Sequence, residues 1–445
     1  PRLIVTVDNG ISSEAGVAAA RALGIRVLIT DHHLPGQVLP EADVIVNPNL
    51  KGSPFGSRAL AGVGVAFYVM AALYRRLEAC AELPAGAPTV ARFLDLVALG
   101  TVADVVPLDL NNRILVAQGL ARIRARRAVP GILALLTLAK RAVGELVASD
   151  LGFGVAPRLN AAGRLTDMSV GIRCLLSDSE AEARMLAAEL DTLNLQRREI
   201  EQGMQEQALT AIKCLREPDR ALERSGVCLY DASWHQGVVG LVAGRVKERL
   251  RRPVIAFANA DATELRGSAR SVPGVHVRDV LDAIATREPG LIRKFGGHAM
   301  AAGLTLELAQ LDRFARAFDE EVARWLSRCG SPDAIETDGE LTTGELTLGT
   351  AEALREAGPW GSGFPEPLFD GTFELRNARL VGGRHLKVQI GASEGRGGFD
   401  AIAFNYLEPG REGALPSGRH QIIYRLGAND YQGTRRLQLL IDQLL

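Results

Sequence analysis

Three short apolar runs in the first fifty residues constrain this chain more than any other feature: Leu3-Ile4-Val5-Thr6-Val7, Ile25-Arg26-Val27-Leu28-Ile29-Thr30 and Val44-Ile45-Val46. Each is rich in β-branched residues; the first two stop on the polar runs Asp8-Asn9-Gly10 and Asp31-His32-His33, and the third ends at Pro48. Near-continuous apolar strands with short helical connections belong to a parallel sheet covered by helices. We therefore place strands at 2–8, 25–30 and 43–48, with a helix at 12–23, and further helices at about 60–79, 91–99, 111–125 and 130–138. In such a sheet the carboxyl ends of neighbouring strands share one edge, and ligands bind there.

The polar strand ends each have an ordinary reading. Asp-Asn-Gly is turn chemistry, because Asn and Gly tolerate positive φ and Asp can cap a following helix. A single half-buried histidine is common, and Asp104, which interrupts the apolar segment "LVALGTVADVVPL" at 96–108, could cap the next turn. Yet the chain has seven histidines in all, and two of them stand in tandem behind an aspartate at a strand end. Asp8, Asp31, His32, His33 and Asp104 on one rim form a carboxylate–imidazole set suited to Mn²⁺ or Mg²⁺ rather than to a thiolate-preferring ion. A carboxylate shared by two ions about 3.5–4 Å apart serves in-line phosphoryl chemistry.

The texture then changes twice. Residues 177–218 carry many strong helix formers and read as one or two long connecting helices. Strands at 226–230 and 253–258 around a helix at 237–250 begin a second α/β lobe, which ends near 338. Beyond that, short alternating strands with Gly-rich turns indicate a small antiparallel barrel.

Composition narrows the class. With 47% hydrophobic and 23% charged residues the chain is globular rather than disordered. A formal net charge of −1 gives no global attraction to a polyanion, so nucleic-acid binding would rest on local patches. Candidates are 122–127, 197–198 and 245–252, each of which also reads as a solvated helix face. Five scattered cysteines without a CxxC pair argue for reduced thiols in the cytoplasm and against structural zinc. The longest apolar run, 60–74, is too short to cross a bilayer.

"VDNG", "DHH" and "GTVADVVPL", in this order, resemble the DHH phosphoesterase superfamily. "APRLNAAGRLTDM" (156–168), "SWHQGVVGLVAGRVKER" (233–249), "RGSARS" (266–271), "FGGHAMAAGL" (295–304) and "GFPEPLFDGTFEL" (363–375) narrow the resemblance to its bacterial single-strand-specific exonucleases. It covers essentially the whole chain. The implied fold is α/β: a parallel-sheet DHH lobe (1–176), connecting helices (177–218), a smaller DHHA1-like lobe (219–338) and an OB-like barrel (339–445).

The resemblance also implies roles. Asp8 would bridge two ions, His32 and Asp104 would ligate one of them, and Asp31 and His33 would lie in or next to the site and help handle the scissile phosphate. Arg158, Asn160 and Arg164 would approach the nucleotide. Ser268, Arg270 and His298 would bind phosphate on the second lobe, with an anion-binding nest of backbone N–H groups around Gly296 and Gly297. On the barrel, Arg384, His385, Lys387 and Tyr431 are candidates for single-strand contacts, whereas Trp234 and His235 read as lobe packing.

The implied activity is a Mn²⁺- or Mg²⁺-dependent 5′→3′ exonuclease on single-stranded DNA, used in recombination and repair. A cleft between lobes would admit only an unpaired strand. Single-strand-binding protein and a helicase are expected partners, and no membrane is. Two rivals remain: a phosphodiesterase for short oligonucleotides or a pyrophosphatase, against which the barrel argues, and a non-catalytic single-strand-binding relative. One departure stands out. These exonucleases carry an Asp-x-Asp strand end before the position of Asp8, and only seven residues precede Asp8 in a chain that opens on Pro1. The expectation is a fragment with weak or no nuclease activity as it stands.

Overall fold

The computed structural model describes residues 1–36, 38–214, 224–329, 335–391, 398–407, 415–431 and 434–445. They form two compact units: residues 1–157, 174–184 and 336–445 make the first, and 158–173 with 185–335 the second.

In the first unit β1 (Leu3–Val7), β2 (Arg26–Thr30) and β3 (Val44–Val46) form a parallel sheet in the order β1-β2-β3. The register pairs Val7 with Thr30, so Asp8 and Asp31 leave the sheet at the same edge. Helix α1 (Glu14–Ala22) covers one face, packing Val17 and Ala20 on Val27 and Ile29. Burial on both faces holds for β2 but not for β1, whose Leu3, Val5 and Val7, on one face, are exposed. β3 stops sooner than expected. Asn47 turns the chain by accepting a hydrogen bond from the Asn49 N–H, and Pro48 has no N–H to continue a ladder.

Helix α2 (Gly62–Ala79) buries its first turn, and a short 3₁₀ turn leads into α3 (Leu94–Ala103). α3 runs four residues past the expected end at 99 and delivers Asp104 as its C-terminal capping residue. α4 (Leu110–Arg124) starts at Asp109, whose side chain accepts from the Asn112 N–H. α5 (Pro130–Leu138), α6 (Ala148–Asp150), a π-helical turn at Leu151–Val155, α7 (Ala156–Leu165) and α8 (Ser169–Leu176) follow. Of the segment 177–218, residues Glu180–Cys214 form one helix, α9, and 215–218 lie outside the described residues.

The second unit is built on β4 (Val227–Tyr230), α10 (Val239–Leu250), β5 (Val254–Asn259), β6 (Glu264–Arg270), α11 (Val277–Arg287), β7 (Lys294–Gly297), β8 (Ala301–Glu307) and α12 (Leu311–Cys329). The sheet order is β4-β5-β6-β8-β7, with β4 parallel to β5 and the rest antiparallel. Phe257, Phe314 and Phe318 anchor its core.

The first unit resumes with α13 (Leu348–Ala357) and the strands β9 (Phe369–Val381), β10 (His385–Gly391), β11 (Gly398–Ala403), β12 (Gly418–Tyr431) and β13 (Thr434–Leu444). They close into a barrel ordered β10-β11-β13-β12-β9, with β11 parallel to β13. That five-stranded arrangement is the OB fold. The barrel is tied to the helices of its own unit. Glu145 reaches Arg355 at 3.2 Å and Arg435 at 2.7 Å, and the Leu108 N–H donates to the Ser362 carbonyl at 2.6 Å. Among the described residues no helix is long and apolar enough to cross a membrane.

Candidate metal centre and anion-binding residues

Asp8 does not cap α1; the capping position is Ser13. Asp8 instead takes a left-handed backbone (φ 62°), a conformation Asp tolerates better than most residues, and Gly10 follows at φ 112°. The turn is held by the Thr6 hydroxyl donating to the Asn9 carbonyl and the Thr30 hydroxyl donating to the Thr6 carbonyl.

The Asp31-His32-His33 loop is organised by Asp31, which is 1% exposed. One carboxylate oxygen accepts from the Ile11 N–H at 2.9 Å, the other from the N–H groups of His32 and His33 and from His33 Nδ1 at 2.7 Å. Burial alone would raise its pKa, but the bond from Ile11 and those from His33 and His32 outweigh it and hold the carboxyl below its ordinary range. With both oxygens accepting hydrogen bonds, Asp31 orients the loop that carries His32 and His33. Asn47 and Asn49 complete the scaffold by donating to the carbonyls of His33 and His32.

His32 Nε2 lies 3.0 Å from Asp8 Oδ1 and 3.4 Å from Asp104 Oδ2, and it is buried without an aligned hydrogen bond to either. The contact with Asp8 raises the His32 pKa against burial, and the charge of Asp104 adds to it. Ligand atoms of Asp8, His32 and His33 all lie within 4.8 Å of one another. Two donors held side by side by one octahedral ion at about 2.1 Å are separated by about 3 Å. The spacings of His32 Nε2 from Asp8 Oδ1 and from Asp104 Oδ2 are those of neighbouring donors on a small divalent cation, and His33 rather than Asp104 completes the mutually close set.

In the second unit, Arg270 donates to the Ser268 hydroxyl at 3.0 Å, and Arg164 donates to the Gly237 carbonyl at 2.9 Å. Burial, then the positive charge of Arg164, lower the Arg270 pKa. Arg197, buried on α9, is lowered first by burial and also by Arg198, Arg164 and Arg245. Glu201, 3.1 Å from Arg197 and 3.4 Å from Arg245, opposes that shift, whereas Arg270 has Arg164 as its charged neighbour and would gain from a bound anion. Arg158 is buried and bonded through Nε to Asp191 at 2.7 Å, while Asn160 and His298 are exposed. Gly296 and Gly297 lie on the outer strand β7, paired with Gly303 and Ala302 of β8, and Gly297 (φ 147°) leads into the β7–β8 turn closed by the His298 N–H donating to the Ala301 carbonyl. Trp234 packs as expected, with Met204 in its cluster and Nε1 donating to Gln207.

On the barrel, His385 accepts from the Asn405 N–H and meets Phe404 edge-on at 5.3 Å. Phe404 is 59% exposed. Lys387 stands directly opposite Arg379, and the Asp400 carboxylate 3.4 Å from Lys387 offsets that like-charge pair. Arg384 is exposed, and the side chain of Tyr431 lies outside the described residues.

Sequence reasoning missed Asn47, Asn49, Gly62, Asp191 and Phe404. The two asparagines were visible at a strand end. Gly62 carried no local signal, because its role depends on α2 meeting Asp8.

The chain matches the DHH family, N-terminal domain, over residues 2–101, the DHHA1 domain over 223–324 and the RecJ OB domain over 337–443. It is 55% identical to the single-stranded-DNA-specific exonuclease RecJ of Dickeya dadantii (strain 3937) over 449 residues, spanning 99% of this chain and 77% of that protein. Identity to the Escherichia coli K12 protein of the same name is 54%, again over 77% of its length. Among solved structures, RecJ from Thermus thermophilus in complex with Mn²⁺ superposes with a TM-score of 0.80 at 30% identity, covering all of this chain and 62% of that one.

Proposed function

The chain belongs to the RecJ family of single-stranded-DNA-specific exonucleases, and from that premise we propose that it hydrolyses phosphodiester bonds of single-stranded DNA from the 5′ end, with Mn²⁺ or Mg²⁺ held by Asp8, His32 and Asp104. The observation that carries this reading is the buried His32 Nε2, flanked by two carboxylates and aligned with neither. A divalent cation bound there would supply Lewis acidity and a water nucleophile at neutral pH, and Asp8 would be the residue placed to serve a second ion as well.

The chain's own residues do the rest. Asp31 receives His33 Nδ1 and so presents His33 Nε2 outward, to meet a phosphate oxygen or hold a proton. Arg164, Ser268 and Arg270 bind phosphate oxygens, with Arg158 and Asn160 nearby in sequence and His298 on the same unit. Arg270 and Ser268 are already joined, so their donors share one anion. The barrel adds a single-strand contact through Arg384, His385 and Lys387, joined here by Phe404. The barrel also favours long strands over short oligonucleotides. In the cell this reading implies a cytoplasmic protein of recombination and repair, working beside a helicase and single-strand-binding protein.

The test is nuclease assay of the protein expressed from its complete gene, on end-labelled single and double strands with Mn²⁺. Mononucleotides should leave the 5′ end of the single strand only, and Asp104→Ala should abolish their release. Intact single strands under Mn²⁺ and Mg²⁺ would overturn the proposal.

A further inference from the structure

Val105, directly after Asp104, has φ 60°. A β-branched residue in the left-handed region is a genuine outlier, which persists only where its surroundings over-determine it. Its own side chain cannot compensate, being 67% exposed. The restraint must come from both ends of the segment. Upstream, the N–H groups of Asp104 and Val105 bond to the carbonyls of Gly100 and Val102 in the last turn of α3. Downstream, the anchor lies far away in sequence.

That anchor is the turn 358–364 between α13 and β9. The Ser362 carbonyl accepts the Leu108 N–H at 2.6 Å. Gly361 lies under Leu108 so closely that a Cβ there would sit 2.7 Å from Leu108 Cδ1. Phe364 carries the Arg113 guanidinium of α4 over its ring at 3.9 Å and stacks on Trp360 at 4.8 Å. Trp360 Nε1 in turn donates to the Leu354 carbonyl of α13. Asn112 donates to the Pro107 carbonyl from the other side.

We propose that the Trp360–Phe364 turn at the root of the barrel is a positioning device for Asp104, holding the strained Val105 backbone so that the Asp104 carboxylate stays within reach of the cation. Trp360, Phe364 and Arg113 are positioning residues in this account, and the barrel's entry segment is part of the metal site's scaffold. The inference rests on the proposed cation site at Asp8, His32 and Asp104.

The experiment is titration of the purified chain with Mn²⁺ alone, by calorimetry or electron paramagnetic resonance, with melting temperature recorded for each variant. Outer-shell supports of a metal site are worth roughly 10–100-fold in affinity. Phe364→Ala and Trp360→Ala should weaken Mn²⁺ binding in that range at a temperature where both are folded. Phe364→Tyr, which keeps the ring, should bind like the parent. Adding Val105→Asn, a residue that tolerates positive φ, to Phe364→Ala should recover affinity without recovering the melting temperature, which a merely structural role would not do. Should Phe364→Ala fail to fold, Arg113→Gln decides the matter, with a smaller loss in the same direction. Folded variants that bind Mn²⁺ as the parent does overturn the inference while leaving the cation site intact. A parent that binds no Mn²⁺ overturns the cation site itself, and this inference with it.

Discussion

A Cβ added at Gly62 would lie 2.3 Å from Oδ1 of Asp8, so the first residue of α2 and the strand-end carboxylate are packed without room for a methyl group. The nearest atoms are all from Asp8: Oδ1, Cβ and Cγ. We expect Gly62→Ala to push the carboxylate off its position and weaken Mn²⁺ binding by about 10–100-fold, the range seen when outer supports of a metal ligand are removed. The crowding also reaches Asp8 Cβ and Cγ, so affinity should be compared at a temperature where the variant is folded. Calorimetric titration of parent and variant checks this, and equal affinities would mean that Asp8 is not held as a ligand from this side.

Arg270 should govern anion binding in the second unit. Arg270→Ala removes a charged donor already bonded to Ser268, and hydrogen bonds to charged groups contribute about 1.5–3 kcal/mol. Affinity for a single strand should fall accordingly, and the slope of log affinity against log salt should shrink by about 0.7 if one phosphate contact is lost. Gly240→Ala should act in the same direction, because its Cβ would approach Ser268 Oγ to 2.8 Å and Arg270 Nη2 to 2.9 Å. Fluorescence anisotropy across a salt series reads both quantities; an unchanged slope in Arg270→Ala argues against phosphate contact.

The distribution of what the sequence discloses follows from range. Strand ends are local signals, and parallel pairing converts them into a shared edge without further information; this is why Asp8, Asp31 and His32 could be placed together from their order alone. The barrel was equally visible, since alternating short strands admit few closures. Asp31 was harder. Its carboxylate looked available until the N–H groups of Ile11, His32 and His33 were seen to converge on it. Gly62, Val105 and the Trp360–Phe364 turn are not legible at all without the fold, because each matters only through a contact formed across dozens or hundreds of residues.

Glu145 gives a pH signature to the docking of the barrel on its own unit. Its hydrogen bond with Arg435, then that with Arg355, hold its pKa below the ordinary glutamate range. A folded pKa below the unfolded one means the stabilisation is complete above the unfolded value and is lost as pH falls through the folded value. The melting-temperature advantage of the parent over Glu145→Gln should therefore be present above the ordinary glutamate pKa and disappear as pH falls below the depressed folded value. Because Glu145 is half exposed, the effect should be small, under about 1 kcal/mol. An advantage that persists undiminished at the lower pH would show that charge is not its source.

Phe404 should act as a stacking surface on the barrel. Removing an aromatic platform costs about 1–3 kcal/mol per stacked base. Phe404→Ala should weaken binding of a single strand by that order, Phe404→Tyr should not, and an abasic oligomer should not distinguish the three proteins. Equal loss on normal and abasic strands would point to disturbed packing with His385 instead.

The account depends most on one cation being gripped by residues 8, 32 and 104. Crystals grown with Mn²⁺ and measured at the manganese edge test this directly. The anomalous peak should lie within about 2.5 Å of Asp8 Oδ1, His32 Nε2 and Asp104 Oδ2 together. A peak elsewhere, or none at saturating Mn²⁺, would contradict it.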